Sequence, residues 1–372
     1  MISVFGSKVG MEELEEIRTS IENQWIGIGP KTKKFEENIA KRLKMKDFAL
    51  LDSGSNSLYM GMKLLDLPKD SEVILPALTW ISCATAVVLA GCKPVFCDIE
   101  INTQNVSYRT IEPVISKKTG AVMVVHYAGK PVNMDEIAEF GLPIIEDAAH
   151  AIDSKIDEKY CGTIGYIGAY SFDGVKNLAI GEAGGVTSNN LELVSMAKKL
   201  RYCGIEKSGF EASANKQRWW EYNVGDFFIK MIPDDISASI GLAQLKKLDK
   251  LQAYRKYIWD IYQKEFADTG WFELPVDAEA NEQHSYFTYF IRLNNSKRDE
   301  LAHYLFSEGI YTTFRYQPLH LIPIYNSTHL KLKNSEILND TGLNIPLHPN
   351  LSEKDVFYII EKIKEFGKKY HL

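Results

Sequence analysis

The chain has 372 residues, with 43 Lys and Arg against 49 Asp and Glu for a formal net charge of −6, and its side chains are 45% hydrophobic and 25% charged. These proportions describe a folded globular protein and exclude a disordered, collagen-like or fibrous one. Charges of both signs are scattered along the chain, which excludes the basic face that proteins use to hold nucleic acid or an anionic membrane.

The first stretch, MISVFGSKVGMEELEE, turns acidic early and has no basic segment leading into an apolar one, so export is not expected and a cytoplasmic location is. Between about residues 45 and 200, short apolar runs (Phe48 to Leu51, Glu72 to Pro76, Lys93 to Asp98, Val122 to His126, Leu142 to Glu146) alternate with helix-like stretches. That alternation predicts βαβ units and an α/β fold with a mostly parallel sheet. The apolar run from Ile81 to Ala90 is broken by Ser82 and Thr85, and it falls far short of the roughly 20 residues that span a bilayer. From Ile236 to Ile261, apolar residues at helical spacing predict one long amphipathic helix able to connect two units. The alternation of His284 to Leu293, the amphipathic RDELAHYLFSEG and a final helix from Asp355 to Phe366 predict a small α+β unit. The expected division is a large domain over 1–250 and a smaller one over 251–372. The five cysteines, Cys83, Cys92, Cys97, Cys161 and Cys203, show no C-x-x-C spacing. They are expected as reduced thiols, without a disulfide framework or a zinc site.

Several strand-like runs end in a polar residue followed by a loop, where open α/β sheets bind ligands. Ser53-Gly54-Ser55-Asn56 lies between a strand and an amphipathic helix; such a turn is either an ordinary helix cap or a phosphate site built from free backbone N–H groups. Asp147 follows the apolar run of LPIIED and either caps a turn or holds a cationic ring nitrogen or a metal. Around it and His150 no second acidic or His partner stands at helical or hairpin spacing, so a metal is not favoured. Lys176, in YSFDGVKNLAIGEAGG, sits among small and apolar residues. It is either a surface charge or a desolvated amine able to form a Schiff base with a carbonyl. Arg315, between Phe314 and Tyr316 and five residues before His320, suits a carboxylate clamp, stacking on a base, or a structural salt bridge.

These segments resemble, in order and spacing, the sugar aminotransferases of the DegT/DnrJ/EryC1/StrS family. The matching phrases are WIGIGPKTKKFEE, SGSNSL, EVILPALTWISCATAVVLAGCKPVFCDIE, VHYAGKPVNMDEI, IIEDAAHA, YSFDGVKNLAIGEAGG, DISASIGLAQLKKLD, TTFRYQPLH and NIPLHPNLSEKDV. The resemblance implies a fold type I enzyme dependent on pyridoxal 5′-phosphate, with Lys176 bound covalently to the cofactor and moving the proton, and Asp147 facing the pyridine nitrogen. It implies that Gly54, Ser55 and Ser171 hold the phosphate, that Trp80 stacks on the ring and that His150 sits near the phenolic oxygen. Relatives that act as dehydrases have histidine in place of the lysine, so Lys176 implies a transaminase. The stretch NVGDFFIKMIPDD departs from the family's LGYNYRMSD-like phrase, through which a neighbouring subunit reaches the phosphate; Lys230 is the candidate contact there. A homodimer with sites at its interface is implied. GIYTTFRYQPLH, WIGIGPKT and RYCGIEK look most like members that move an amino group from L-glutamate to C4 of a dTDP-4-keto-6-deoxyhexose, with Arg315 and His320 as substrate-binding candidates. Amination at C3, a UDP- or GDP-linked substrate, and a cofactor-binding regulator without turnover are the alternatives.

Overall fold

A computed structural model describes residues 1–205, 220 and 222–372. The chain builds a seven-stranded sheet from β1 (Ala49–Leu51), β2 (Glu72–Pro76), β3 (Lys93–Cys97), β4 (Thr119–Val125), β5 (Ile144–Asp147), β8 (Ile167–Ser171) and β9 (Gly184–Thr187), in the spatial order β1-β9-β8-β5-β4-β2-β3. Two short strands, β6 (Lys155–Ile156) and β7 (Lys159–Tyr160), form a hairpin between β5 and β8 and pair with β11 (Glu282–Gln283) in a small sheet of their own. In the seven-stranded sheet β2, β3, β4, β5 and β8 pair in parallel, while β9 and β1 join antiparallel at one side. The strands of the parallel part read as continuous apolar runs because both faces are covered. Along β4, Ala121, Met123 and Val125 enter one core and Val122 and Val124 another, the alternation of a strand.

The antiparallel β9 lies in the Gly-rich stretch after Lys176, which carries no apolar strand signal. Its glycines are demanded by close approach: a Cβ on Gly184 would lie 2.5 Å from the Ser53 carbonyl oxygen, and one on Gly185 2.2 Å from the Phe48 ring. The helix Asp235–Phe266 starts at Asp234, whose carboxylate accepts from the Ser237 N–H at 2.8 Å. Its first half gives Ala238, Leu242 and Leu248 to a core with Phe35, Phe48 and Phe172. Its second half gives Ile258, Trp259, Tyr262 and Phe266 to a second core. That second core is covered by a three-stranded sheet of β10 (Phe272–Glu273), β12 (Tyr289–Leu293) and β13 (Gly342–Ile345) and by the helices Arg298–Ser307 and Glu353–Lys369. Ile2 also packs here, pairing with Ile310, so the start of the chain is fastened to its C-terminal third. Among the described residues no helix is long and apolar enough to cross a membrane.

The carboxyl ends of β2, β4, β5 and β8 open on one edge of the sheet. The middle strand, β5, is fixed by Glu146, which is fully buried. Its carboxylate receives the His126 Nε2 at 2.9 Å and the backbone N–H groups of Gly162 and Ile164, both at 2.7 Å, with Gly165 donating as well. Removing it leaves buried donors unpaired, which is costlier than the bonds are stabilising. Glu146→Ala should lower the unfolding free energy by about 3–5 kcal/mol, seen as an earlier urea transition in circular dichroism.

Candidate active site

The side chains at these strand ends meet in a cavity of 450 Å³, lined by residues that include Ser53, Gly54, Ser55, Trp80, Asp147, His150, Ser171, Lys176 and Arg315. Eight residues singled out from sequence (Gly54, Ser55, Trp80, Asp147, His150, Ser171, Lys176 and Arg315) thus converge on one space.

At one end stands the helix Gly54–Leu65, capped by the Ser53 hydroxyl, which accepts from the Asn56 N–H at 3.1 Å. A Cβ on Gly54 would lie 2.5 Å from the Ser171 Cβ, so only glycine lets the helix start against the end of β8. Ser55 and Ser82 share a hydrogen bond of 2.6 Å. Free N–H groups at a helix start, with the hydroxyls of Ser53, Ser55, Ser82 and Ser171 around them, make an arrangement that can cradle a phosphate.

In the middle, Asp147 ends β5 with both oxygens engaged: Oδ1 accepts from the Ala149 N–H at 2.9 Å and Oδ2 from the Cys83 thiol at 3.1 Å. Burial, and then the Asp147 charge, push the Cys83 thiol well above its ordinary range, so it stays a neutral donor. His150 is buried, its ring stacked on Phe287 at 4.0 Å between centroids. Its Nε2 faces the Tyr316 hydroxyl at 3.2 Å, and its buried Nδ1 has no hydrogen-bond partner among the described residues. Burial, with the nearby cations Lys176 and Arg315, holds its pKa well below the usual 6.5, leaving a neutral imidazole.

Lys176 follows β8 in a turn closed by its own N–H on the Asp173 carbonyl at 2.9 Å. Its Nζ lies 4.9 Å from the centre of the Phe287 ring. Desolvation first, and then the Arg315 charge, bring its pKa from 10.5 down to about 8, against a smaller opposing pull from Asp147. Arg315 lies over the Phe5 ring at 3.5 Å and donates from Nη1 to the Tyr316 hydroxyl at 3.1 Å. At the mouth, Trp80 is half exposed, 5.4 Å from the Tyr316 ring.

Two expected residues lie elsewhere. His320 does not line this cavity: the turn Leu319–Leu321 packs it inward, fully buried, with Nε2 3.3 Å from Glu336. Lys230 is exposed and outside the cavity of its own chain. Of the phrase Arg201 to Lys207, Glu206 and Lys207 lie outside the described residues. Sequence reading noted Tyr316 only as a flank of Arg315 and missed Phe287 and Phe5, which no local pattern marks. It also passed over Ser82 and Cys83 as a site, although both lie one helical turn or less from Trp80.

The chain matches the model of the DegT/DnrJ/EryC1/StrS aminotransferase family over residues 7–364. It belongs to that family. It is 33% identical to the dTDP-4-dehydro-2,3,6-trideoxy-D-glucose 4-aminotransferase of Saccharopolyspora spinosa over 98% of this chain and 96% of that one. It is 31% identical to the GDP-perosamine synthase of Escherichia coli O157:H7 over 98% of both chains. The crystal structure of the aminotransferase TlmJ from Streptoalloteichus hindustanus superposes with a TM-score of 0.93 at 34% identity, over 98% of both chains. The pyridoxal-phosphate form of the putative sugar aminotransferase Spr1654 from Streptococcus pneumoniae does so with 0.91 at 25% identity, again over 98% of both.

The protein is therefore a pyridoxal-phosphate-dependent sugar aminotransferase of the nucleotide-sugar type. The cavity fits that cofactor in its donor set: a hydroxyl-lined helix start for a phosphate, a carboxylate for a ring nitrogen, and an amine of lowered pKa for an aldehyde. The orphaned Nδ1 of His150 is a further polar atom awaiting a partner. Only the neutral amine attacks an aldehyde, and below about pH 8 Lys176 carries a proton. Cofactor uptake by the apoenzyme should accordingly speed up as pH rises through about 8 rather than near the 10.5 of an ordinary lysine. Arg315→Ala should move that midpoint upward, as followed in stopped-flow absorbance.

Proposed function

We propose that this enzyme transfers the amino group of L-glutamate to C4 of a dTDP-linked 4-keto-6-deoxyhexose, converting dTDP-4-keto-6-deoxyglucose to dTDP-4-amino-4,6-dideoxyglucose with release of 2-oxoglutarate. The observation that carries the reading is the near full-length similarity to a protein named for C4 amination of a dTDP-linked sugar. The GDP-perosamine synthase similarity favours a GDP-linked substrate as the second reading.

Each residue has a task in this reaction. The Lys176 amine would hold the cofactor and, once freed by the amino donor, would take up and return the proton that the transfer moves. When bound, pyridoxal phosphate supplies an electron sink for the carbanion that this proton transfer creates. Asp147, kept in place by Cys83 and the Ala149 N–H, presents negative charge to the ring nitrogen. The start of the helix at Gly54, with Ser55 and Ser171, would grip the phosphate and keep the cofactor bound while the Lys176 amine is free. Trp80 and His150 bound the ring, and Arg315 takes a substrate carboxylate bidentately.

A homodimer accords with the exposed apolar side chains Trp25, Ile26, Phe227 and Ile229, the last beside Lys230. In that assembly Lys230 of the partner subunit would supply the inter-subunit contact to the phosphate.

Incubating the holoenzyme with L-glutamate and either dTDP-4-keto-6-deoxyglucose or its GDP counterpart, with products assigned by mass and NMR, tests the reading. An amine at C4 of the dTDP sugar supports it; amination at C3, or turnover of the GDP sugar alone, overturns it. Lys176→Ala should abolish turnover without unfolding the chain, whereas Asp147→Asn should reduce kcat by about a hundredfold or more through lost charge at the ring nitrogen.

A further inference from the structure

We infer that Phe5 is a positioning residue for the amino donor: its ring fixes the Arg315 guanidinium so that the cation meets the carboxylate next to the nitrogen being transferred. The inference rests on the proposed role of Arg315 as a carboxylate clamp.

The backbone of Arg315 is held tightly. Its N–H donates to Asn344 Oδ1 at 2.9 Å, and its carbonyl accepts from the Tyr127 hydroxyl. Among the described residues, the long side chain beyond it is restrained by aromatic faces and a single side-chain hydrogen bond, to Tyr316. The Cζ of Arg315 lies 3.5 Å from the Phe5 ring centre, against 5.4 Å for Phe287 and 5.5 Å for Tyr316. Phe5 is therefore the face that touches the guanidinium, and it is itself stacked on Phe287 at 5.8 Å with 16° between the planes. A stacked guanidinium keeps its N–H edge free for a planar, two-pronged contact with a carboxylate.

The segment that carries Phe5 is fastened on both sides of it. Ile2 donates to the Gly309 carbonyl at 2.7 Å and accepts from the Tyr311 N–H at 2.8 Å. His348 Nε2 faces the Ser3 carbonyl at 3.0 Å, and Gln244 donates to the Lys8 carbonyl at 3.0 Å. A Cβ on Gly6 would lie 2.8 Å from His348 Nδ1, so the strap runs flush against that ring immediately after Phe5.

The donor, rather than the nucleotide sugar, is the ligand this cation suits. Lys176 Nζ and the Arg315 guanidinium lie over one Phe287 ring, 4.9 and 5.4 Å from its centre. An amino acid carries its carboxylate on the very carbon whose nitrogen is transferred, whereas a keto-sugar carries its nearest anion, the diphosphate, across the sugar ring from the reacting carbonyl.

The test follows the holoenzyme through its first half-reaction with L-glutamate in single turnovers, and then through the second with the keto-sugar. Phe5→Leu keeps apolar bulk and removes the aromatic face; Phe5→Tyr keeps the face. Phe5→Leu should raise the half-saturating glutamate concentration about 3- to 30-fold, with less than about a twofold change in the keto-sugar's, and Phe5→Tyr should restore it. Added to Arg315→Ala, Phe5→Leu should have no further effect. Wild-type behaviour of Phe5→Leu, failure of Phe5→Tyr to rescue, or equal loss for both substrates would overturn the role of Phe5. If Arg315→Ala leaves glutamate saturation unchanged, the clamp reading itself fails; if it raises it while Phe5→Leu does not, only the role of Phe5 fails.

Discussion

No side chain fits between the first residue of the helix Gly54–Leu65 and the end of β8, and most of the site follows from that exclusion. With hydrogen alone on Gly54 the helix start abuts Ser171. With hydrogen alone on Gly184, β9 slides in beside Ser53 and Ser57 and seals the turn that carries Lys176. A partially positive helix end, hydroxyls and a reactive amine are thereby gathered at one strand edge. Each glycine trades its own backbone entropy for an approach that no other residue permits.

Electrostatics then decides the protonation of the assembled groups. Lys176 and His150 are both desolvated, and Arg315 adds a positive field to each. The two effects act in the same direction, toward the neutral forms. Asp147 opposes them only for the lysine, and its carboxylate is held between a backbone N–H and a thiol rather than by a cation. A formal cation opposite Asp147 would neutralise its charge; a thiol, a weak donor, orients the carboxylate and leaves that charge available.

The sequence was most legible where periodicity and strand ends coincide. β2 and β3 begin where their apolar runs begin, Asp147 is exposed to inspection because it ends a hydrophobic strand, and Lys176 because small and apolar residues surround it, whereas Ser171 is marked only by the family resemblance. It was least legible where contacts join distant segments. Phe5 and Arg315, or Cys83 and Asp147, are separated by so much chain that no spacing could link them. The antiparallel β9 was hidden because its Gly-Gly pair is selected by clearance against Phe48 and Ser53, not by strand propensity. His320, in the same short phrase as Arg315, looked equally suited to a ligand, but a turn of chain directs it into the protein and onto Glu336.

The unbroken helix Asp235–Phe266 enters two hydrophobic cores, one at each half. The cavity draws Asp147 and Ser171 from the seven-stranded sheet and Lys176 from the turn after β8, while Arg315 comes from a loop bridged to β13 at Thr313 and Asn344. That helix is thus a girder shared by the two walls of the site, and a helix resists bending far more than a loop does. The gap between Arg315 and Lys176 is consequently a dimension of the scaffold, set by the stiffness of one structural member, and engineering the cavity for a larger or smaller occupant calls for changes along that girder as much as at its lining.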